Sequence, residues 1–140
     1  FNELTPAELY IILKLRSKVF VVEQNCVYLD TDDKDQFSFH LSGWDNDTLV
    51  AYARILPPGL SYSEASIGRV VTDPMHRKTG AGRLLMKHAI EKTFAQFGKR
   101  DIKIGAQLYL LQFYGSLGFI KSGAEYLEDG IPHVEMCLSV

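Results

Sequence analysis

The residues most able to do chemistry stand at the start of an expected helix, in the run Arg77-Lys78-Thr79-Gly80-Ala81-Gly82. This Arg-x-x-Gly-x-Gly pattern follows a strand-like stretch over residues 66–72. The first turn of a helix leaves about four amide donors without partners and carries a partial positive charge, so it attracts phosphates. Glycines let the backbone come close to an anion, and Arg77 and Lys78 add cationic donors. The pattern predicts a phosphate-binding turn.

Two other kinds of phosphate loop do not fit this turn. A P-loop ends in Gly-Lys-Ser/Thr, whereas Gly82 is followed by Arg83 and Leu84. The dinucleotide fingerprint needs a third glycine near Leu85, which is absent. A plain glycine-rich turn stays the alternative, since chance yields Arg-x-x-Gly-x-Gly in roughly three chains of this length in a hundred. This motif alone therefore does not identify a phosphate site, and a second motif is needed to support it.

A second group of reactive residues follows Gln107, in the aromatic run Phe113-Tyr114-Gly115-Ser116-Leu117-Gly118-Phe119. A phenol can donate a proton at neutral pH, so Tyr114 is a candidate general acid. The alternative is that Tyr114 only packs beside Phe113 and Phe119 in the core.

With both motifs in this order, the chain resembles the Gcn5-related N-acetyltransferase (GNAT) superfamily. In that family a strand, Arg-x-x-Gly-x-Gly and a long helix bind the pyrophosphate of coenzyme A. A later Phe-Tyr-x-x-x-Gly-Phe helix carries a tyrosine near the thioester sulfur. Residues 15–24, 51–56, 67–70 and 128–133 further resemble the ElaA-type branch, so the similarity spans nearly the whole chain.

The resemblance implies an N-acetyltransferase that moves an acetyl group from acetyl-CoA, its co-substrate, to a primary amine by direct attack in a ternary complex. The alternative is a catalytically silent module that binds or senses acyl-CoA. Tyr114 would protonate the departing thiolate, backbone amides of a bulged strand would face the carbonyl oxygen, and the Gln107 amide would face the pantetheine arm. The implied coenzyme-binding residues are Val70, Val71, Thr72, Arg77, Lys78, Thr79, Gly80, Ala81, Gly82, Gln107 and Phe113. No metal is expected.

The general base stays open at this stage. An amine with a lysine-like pKa of about 10.4 is mostly protonated at neutral pH, so a group must remove its proton. The candidates are Glu23, His40, His133 and Glu135, with a water relay as an equal alternative. Glu23 and His133 are the expected acceptor-side residues, and His133 is favoured because the resemblance brings the final hairpin near the acceptor cleft. The acceptor, a small-molecule amine or a protein N-terminus or lysine, stays open as well.

Charged residues elsewhere have competing interpretations. One loop carries Asp30, Asp32, Asp33 and Asp35. A solvated loop is favoured over a site for a cationic amine, and calcium is rejected because the glycine and terminal glutamate of an EF-hand are absent. Three arginines, Arg16, Arg54 and Arg69, either pair with acidic side chains or bind an acidic group of the substrate.

Local signals predict the elements that position these residues. Thr5-Pro6-Ala7-Glu8 predicts a capped helix to about Arg16, followed by a helical or mixed segment over residues 19–24. Strands are predicted over 37–44, 49–56, 66–72, 102–106, 120–126 and 133–140, and helices from 80 or 81 to 97 and over 108–117, ended by Gly98 and Gly118. The long helix should bury Leu84, Leu85, Ala89 and Phe94. The predicted fold is mixed α/β, the GNAT acyltransferase fold, with a mostly antiparallel central sheet flanked by helices.

Composition sets the outer bounds. With 140 residues, 46% hydrophobic and 23% charged, the chain fits one GNAT domain over residues 1–140. The family usually opens with a strand before the first helix, and only four residues stand there, so part of that strand can lie outside this sequence.

A net charge of −2 argues against nucleic acid as a partner. The absence of about 20 successive apolar residues and of a secretory leader argues against a membrane protein. Cys26 and Cys137 are too few for a disulfide framework, which favours reduced thiols in a cytoplasmic protein. A homodimer stays open.

Overall fold

The computed structural model describes residues 1–140 and contains three α-helices and six strands. The helices are α1 (Pro6–Arg16), α2 (Ala81–Phe97) and α3 (Leu111–Gly115). The strands are β1 (Phe39–Asp45), β2 (Thr48–Leu56), β3 (Ser66–Thr72), β4 (Ile102–Gln107), β5 (Ile120–Glu128) and β6 (Ile131–Leu138). A π-helical segment, Ser17–Glu23, continues α1, and 3₁₀ turns occupy Asp35–Phe37, Pro74–His76 and Leu108–Leu110. None of the helices is both long and apolar enough to cross a lipid bilayer.

The predicted element boundaries hold best where a local signal sets them. Thr5 and Glu8 form a reciprocal capping box, because Thr5 Oγ1 accepts from the Glu8 amide at 3.1 Å and Glu8 Oε1 accepts from the Thr5 amide at 2.9 Å. Gly98 and Gly118 have φ of 84° and 100° and follow α2 and the α3 turn, as predicted. The predicted helix over 108–117 is instead a 3₁₀ turn followed by the short α3.

The sheet consists of two antiparallel halves, β1-β2-β3 and β4-β6-β5. The halves meet where β3 and β4 run parallel, at the single bridge between Ala65 and Ile102, and the Lys103 amide donates to the Ala65 carbonyl at 2.9 Å. Beyond this bridge no ladder joins the two strands, so they part and leave a cleft. The mixed α/β fold is confirmed, and its central sheet is split at this point.

Helices cover both faces of the first half. The α2 helix buries Leu85, Met86, Ala89 and Thr93, whose spacing places them on one face. Leu84 was predicted to lie on this face, but it is 58% exposed because it lies about 100° from Leu85 on the side away from Met86, and so about 200° from Met86. On the opposite face of the sheet, α1 and the π-helical segment pack against β2 and β3 through a second core cluster, Ile12, Leu15, Val19, Leu49, Tyr52 and Val71. Each fully buried side chain of this kind contributes about 1.5–3 kcal/mol.

Candidate functional site

A cleft of about 1070 Å³ lies between β3 and β4, and almost every residue predicted to act in the site lines it. The predicted residues in its wall are Glu23, Val70, Val71, Thr72, Arg77, Lys78, Gly80, Ala81, Gly82, Gln107, Phe113, Tyr114 and His133. Thr79 is the one predicted coenzyme-binding residue that does not line the cleft. Its exposed hydroxyl donates back to the His76 carbonyl at 2.6 Å and thereby closes the turn before α2.

The turn before α2 has the features of an anion site. Gly80 is the N-cap residue with φ of 85°, a conformation that favours glycine, and no side chain caps the amides of the first turn. A Cβ added to Gly82 would lie 3.6 Å from Thr72 Oγ1 and 3.9 Å from Phe113 Cζ, so the Gly82 backbone forms part of the cleft surface. Donors of the helix N-terminus are therefore available to a bound diphosphate.

Two arginines at this turn are engaged by other side chains. Arg77 Nη2 lies 2.6 Å from Glu23 Oε1, and the two side chains are 42% and 40% exposed. Arg83 donates to Ser116 Oγ at 2.7 Å and so connects α2 to the end of α3. An ion pair this exposed is weak, so Arg77 can exchange the Glu23 carboxylate for a phosphate.

The strand β3 bulges beside this turn. Gly68 pairs with Arg54, and Val71 pairs with Tyr52. Three residue steps along β3 therefore lie opposite two residue steps along β2. Within the bulge Arg69 has a φ of 49°, in the left-handed region that a non-glycine residue seldom adopts. A bulge takes backbone groups out of the ladder, and here the bulged residues Arg69 and Val70 line the cleft. The family resemblance implied a bulge near residues 70–72, and the structure has it at Arg69 and Val70.

The acidic loop is not the solvated loop that the sequence favoured. Asp30 and Asp35 are 7% and 6% exposed, and both are held by the guanidinium of Arg16. Arg16 Nε lies 2.8 Å from Asp30 Oδ2, and Arg16 Nη1 lies 2.7 Å from Asp35 Oδ1. Of the four aspartates, only Asp33 is exposed. The prediction failed because each buried carboxylate meets a guanidinium that is distant in sequence, which offsets the desolvation of both charges.

The other two arginines complete this Arg–Asp network, which we define as Arg16, Arg54 and Arg69 with Asp30, Asp32 and Asp35. Arg54 makes a bidentate pair with Asp32, at 2.7 and 2.8 Å, and also reaches Asp35 at 3.0 Å. Burial alone would raise the pKa of Asp35. Hydrogen bonds and attraction from Arg16 and Arg54 outweigh burial and hold this pKa below its ordinary value of 3.8. Of the two alternatives for the arginines, ion pairing is the one observed.

Arg69 joins the network to the bulge. Its Nε lies 2.9 Å from Asp30 Oδ1, and its Nη2 donates to the Asp30 carbonyl at 2.9 Å. The side chain of the strained bulge residue is therefore clamped by the loop of residues 30–35. A clamp of this kind stabilises a backbone conformation that the sequence of β3 alone would not favour.

Tyr114 combines packing with a free hydroxyl. The residue is 6% exposed, and its ring makes edge contacts with Phe113 and Phe119 at centroid distances of 5.1 and 6.0 Å. Its hydroxyl has no hydrogen-bond partner within the protein and is not sealed away from the cleft that the residue lines. Burial, with a smaller contribution from Tyr109, raises the pKa of Tyr114 above its ordinary value of 10.0, so the hydroxyl keeps its proton at neutral pH. It can act as a donor to a bound group.

Aromatic and amide side chains build the far end of the cleft, and of these only Gln107 was predicted from the sequence. Tyr62 and Tyr126 bring their hydroxyls over Gly105, where an added Cβ would meet them at 3.0 and 2.6 Å. The amides of Gln24 and Gln107 exchange hydrogen bonds at 3.3 and 3.5 Å. Isolated tyrosines carry no pattern in a sequence, which is why Tyr62 and Tyr126 were missed.

The four candidate bases separate into two pairs. His40 and Glu135 lie outside the cleft wall. The ring nitrogens of His40 are engaged by Tyr52 Oη at 2.7 Å and the Asp35 carbonyl at 2.9 Å, and Glu135 pairs with Lys103 at 3.5 Å. Glu23 and His133, the two residues expected on the acceptor side, both line the cleft.

Comparisons with known proteins agree with this geometry. A family model described as "Acetyltransferase (GNAT) domain" matches residues 17–140. Protein ElaA of Escherichia coli is 43% identical over 141 residues, covering 99% of this chain and 92% of ElaA. A UPF0039 protein of Synechocystis sp. is also 43% identical over 141 residues, covering 100% of this chain and 92% of that protein.

Solved structures extend the likeness to the fold. An acyl-CoA N-acyltransferase from Pseudomonas aeruginosa superposes with a TM-score of 0.92 at 37% identity, covering 99% of this chain and 94% of that one. The crystal structure of E. coli ElaA superposes with a TM-score of 0.90 at 42% identity, covering 97% and 93% of the two chains.

Proposed function

Because the chain belongs to the GNAT acetyltransferase family and to its ElaA-type branch, it is an acyltransferase, and we propose that it transfers an acetyl group from acetyl-CoA to a primary amine. The observation that carries this proposal is the uncapped N-terminus of α2, which opens onto the cleft beside the β3 bulge. The N-terminus of α2 would bind a diphosphate, and the β3 bulge would face a carbonyl oxygen. Together these two features suit an acyl thioester of coenzyme A.

The coenzyme would lie along the opening between β3 and β4. Amides of Gly80, Ala81 and Gly82 would bind its diphosphate, with Arg77 and Lys78 as cationic donors. Gly82 is suited to this role because a larger residue would project toward Thr72 and Phe113, into the same space. The pantetheine arm would follow β3 toward the amide of Gln107.

The chemistry follows from the groups that surround the thioester. The neutral amine nitrogen attacks the acetyl carbonyl carbon, and negative charge grows on the carbonyl oxygen. Backbone amides redirected by the bulge at Arg69 and Val70 would stabilise that charge. When the carbon–sulfur bond breaks, its electron pair goes to sulfur, and the Tyr114 hydroxyl supplies the proton that makes the free thiol. The attacking nitrogen loses one proton to water and Tyr114 recovers its proton from water, so the products are the N-acetyl amine and the coenzyme A thiol.

A thermal-shift measurement with acetyl-CoA, followed by thiol release with amines, tests the proposal. At a concentration 100 times its Kd, a ligand of the native state stabilises it by about 2.7 kcal/mol. We expect Gly82→Val to abolish this shift, because its branched side chain fills the diphosphate space. Gly115→Ala is the matched control, since a Cβ there meets no atom within 4 Å.

Three outcomes are distinct. A shift together with thiol release from acetyl-CoA supports the enzyme. A shift with no thiol release, for any amine offered, supports the silent acyl-CoA-binding module instead. No shift for the wild-type protein overturns the proposal. Repeating the assay with butyryl-CoA tests whether the donor is the acetyl ester in particular.

A further inference from the structure

One histidine at the far end of the cleft has a defined orientation. His133 lies on β6, directly opposite Gln107 of β4, and its side chain is 9% exposed. Its ring stacks on Tyr126 of β5 at a centroid distance of 5.7 Å and an interplanar angle of 28°. Neighbours on both adjacent strands therefore hold the ring in one plane at the cleft wall.

The partner of one ring nitrogen determines the tautomer of His133. Its Nδ1 lies 2.7 Å from the carbonyl oxygen of Ile131. A carbonyl oxygen can only accept, so Nδ1 carries the proton, and in the neutral ring Nε2 presents its lone pair. This arrangement leaves Nε2 as a proton acceptor.

A carboxylate lies beside that lone pair. Glu128 Oε2 is 3.5 Å from His133 Nε2, and the Glu128 side chain is 58% exposed. With the ring neutral, both atoms are acceptors and neither can donate to the other. A donor placed between them satisfies both, and a primary ammonium brings three N–H donors together with a positive charge. We propose that His133 and Glu128 bind the ammonium group of the acceptor, and that His133 Nε2 removes its proton.

Arginine side chains already engage two other carboxylates of the cleft wall. Glu23 is paired with Arg77 at 2.6 Å, and both carboxylate oxygens of Asp32 accept hydrogen bonds from Arg54. His76 lies in the 3₁₀ turn on the diphosphate side, 4.0 Å from the Asp73 carboxylate. His133 lies at the end of the cleft that Gln24 and Gln107 line. No cationic side chain of the protein pairs with the lone pair of its Nε2.

This inference rests on the proposed acetyl transfer, and the protons balance as follows. The ammonium gives one proton to His133 Nε2 and becomes a neutral amine, which forms the carbon–nitrogen bond. As the carbon–sulfur bond breaks, the nitrogen loses a second proton to water and sulfur gains one from Tyr114, which recovers its proton from water. His133 then gives the first proton to water. In sum, R–NH₃⁺ and acetyl-CoA give R–NH–CO–CH₃, coenzyme A thiol and one released proton.

The test uses four amines that cover small molecules, lysine side chains and protein N-termini: n-butylamine, cadaverine, Nα-acetyl-lysine amide and trialanine. His133→Asn keeps a donor toward the Ile131 carbonyl and lacks the basic nitrogen. We expect kcat to fall about 100-fold, the lower end of what proton transfer contributes, with the acetyl-CoA thermal shift unchanged. Glu128→Gln removes only the charge, and we expect KM for the amine to rise about tenfold with kcat within threefold.

The matched control is an exposed pair of the same composition. His88 and Glu91 on α2 lie 3.7 Å apart outside the cleft, and we expect His88→Asn and Glu91→Gln to leave both kinetic constants unchanged. A wild-type protein that gives no coenzyme shift or releases no thiol overturns the proposed function. An active wild type whose His133→Asn variant keeps kcat within threefold overturns only the role of His133.

Binding can be followed without turnover. The chain has four histidines, and the ring Cε1–H resonance of His133 is identified by its absence in His133→Asn. We expect n-butylammonium chloride to move this resonance in the wild-type protein and much less in Glu128→Gln. A resonance that none of the four amines moves would overturn the ammonium site even if the protein acetylates amines.

Discussion

At the scale of single residues, Tyr114 illustrates how a core side chain can also be a reactive one. Its ring lies between Phe113 and Phe119, while its hydroxyl reaches the cleft without a partner in the protein. Because the hydroxyl opens onto the cleft, an acceptor atom of a bound ligand can take its hydrogen bond in place of water. Packing and proton donation are compatible here, since they use different parts of one side chain.

The variant Tyr114→Phe separates the two roles. The edge contacts remain and only the donor is lost, so we expect kcat to fall about 100-fold while acetyl-CoA binding stays within twofold of wild type. Initial rates of thiol release and a thermal-shift titration measure the two quantities. Tyr109→Phe is the control, because Tyr109 also lines the cleft but is 75% exposed. Unchanged turnover in Tyr114→Phe would leave the tyrosine with a packing role alone.

At the scale of elements, the loop of residues 30–35 acts as a support for β3. It crosses from the π-helical segment to β1, and its three paired carboxylates match three guanidinium groups from α1, β2 and β3. The six charges cancel, which is why a buried cluster of this size is tolerated. Arg69 belongs both to the bulge and to the network. A substitution that disorders the loop should therefore alter the conformation of the bulge through the Arg69 side chain.

The network predicts a defined loss of stability in acid. The pKa of Asp35 is lower in the folded protein than its ordinary value of 3.8, so the carboxylate stabilises the fold fully above pH 5. This contribution is lost as the pH falls below about 4 and through the folded pKa. Asp35→Asn removes one partner of a buried ion cluster, and we expect it to lower the free energy of unfolding by about 3 kcal/mol at pH 7.

Urea denaturation of both proteins between pH 7 and pH 2.5 measures this effect. We expect the stability difference between wild type and Asp35→Asn to shrink steadily toward the acid end. Asp33→Asn is the control, because Asp33 is exposed and outside the network. A difference that stays constant with pH would contradict the assigned ion pairs.

At the scale of the whole molecule, the two half-sheets are tied together at only one point between β3 and β4. The bridge at Ala65 and Ile102 closes one end of the cleft, and the strands part toward α2 and α3. A coenzyme bound between them would replace the missing ladder with its own hydrogen bonds. Ligand binding should therefore stabilise the interior of the cleft more than the outer strands.

Hydrogen exchange tests this expectation residue by residue. With acetyl-CoA at 100 times its Kd, we expect amides of Val70, Ala81 and Gly82 to exchange up to about 100-fold more slowly. Amides at the exposed edge of β5, such as that of Leu127, should be unaffected. Uniform protection of both regions, or none at the α2 turn, would contradict binding at this place.

Signals within a few residues of one another determined much of this protein. The capping box at Thr5, the terminal glycines and the apolar periodicity predicted the helices and strands, and two motifs predicted the residues of the cleft wall. Such features depend on backbone conformations and faces that a short segment sets by itself. That is why the bounds of β3 and α2 were correct.

The tertiary structure alone decided which distant groups meet. Arg16 and Asp30 are 14 positions apart, Arg54 and Asp35 are 19, and Arg69 and Asp30 are 39, so no local pattern could pair them or show that the acidic loop is buried. The split between β3 and β4 and the approach of His133 to Glu128 likewise follow from how strands are paired. These contacts depend on the packing of the entire chain, because loop closure brings together residues that the sequence leaves independent.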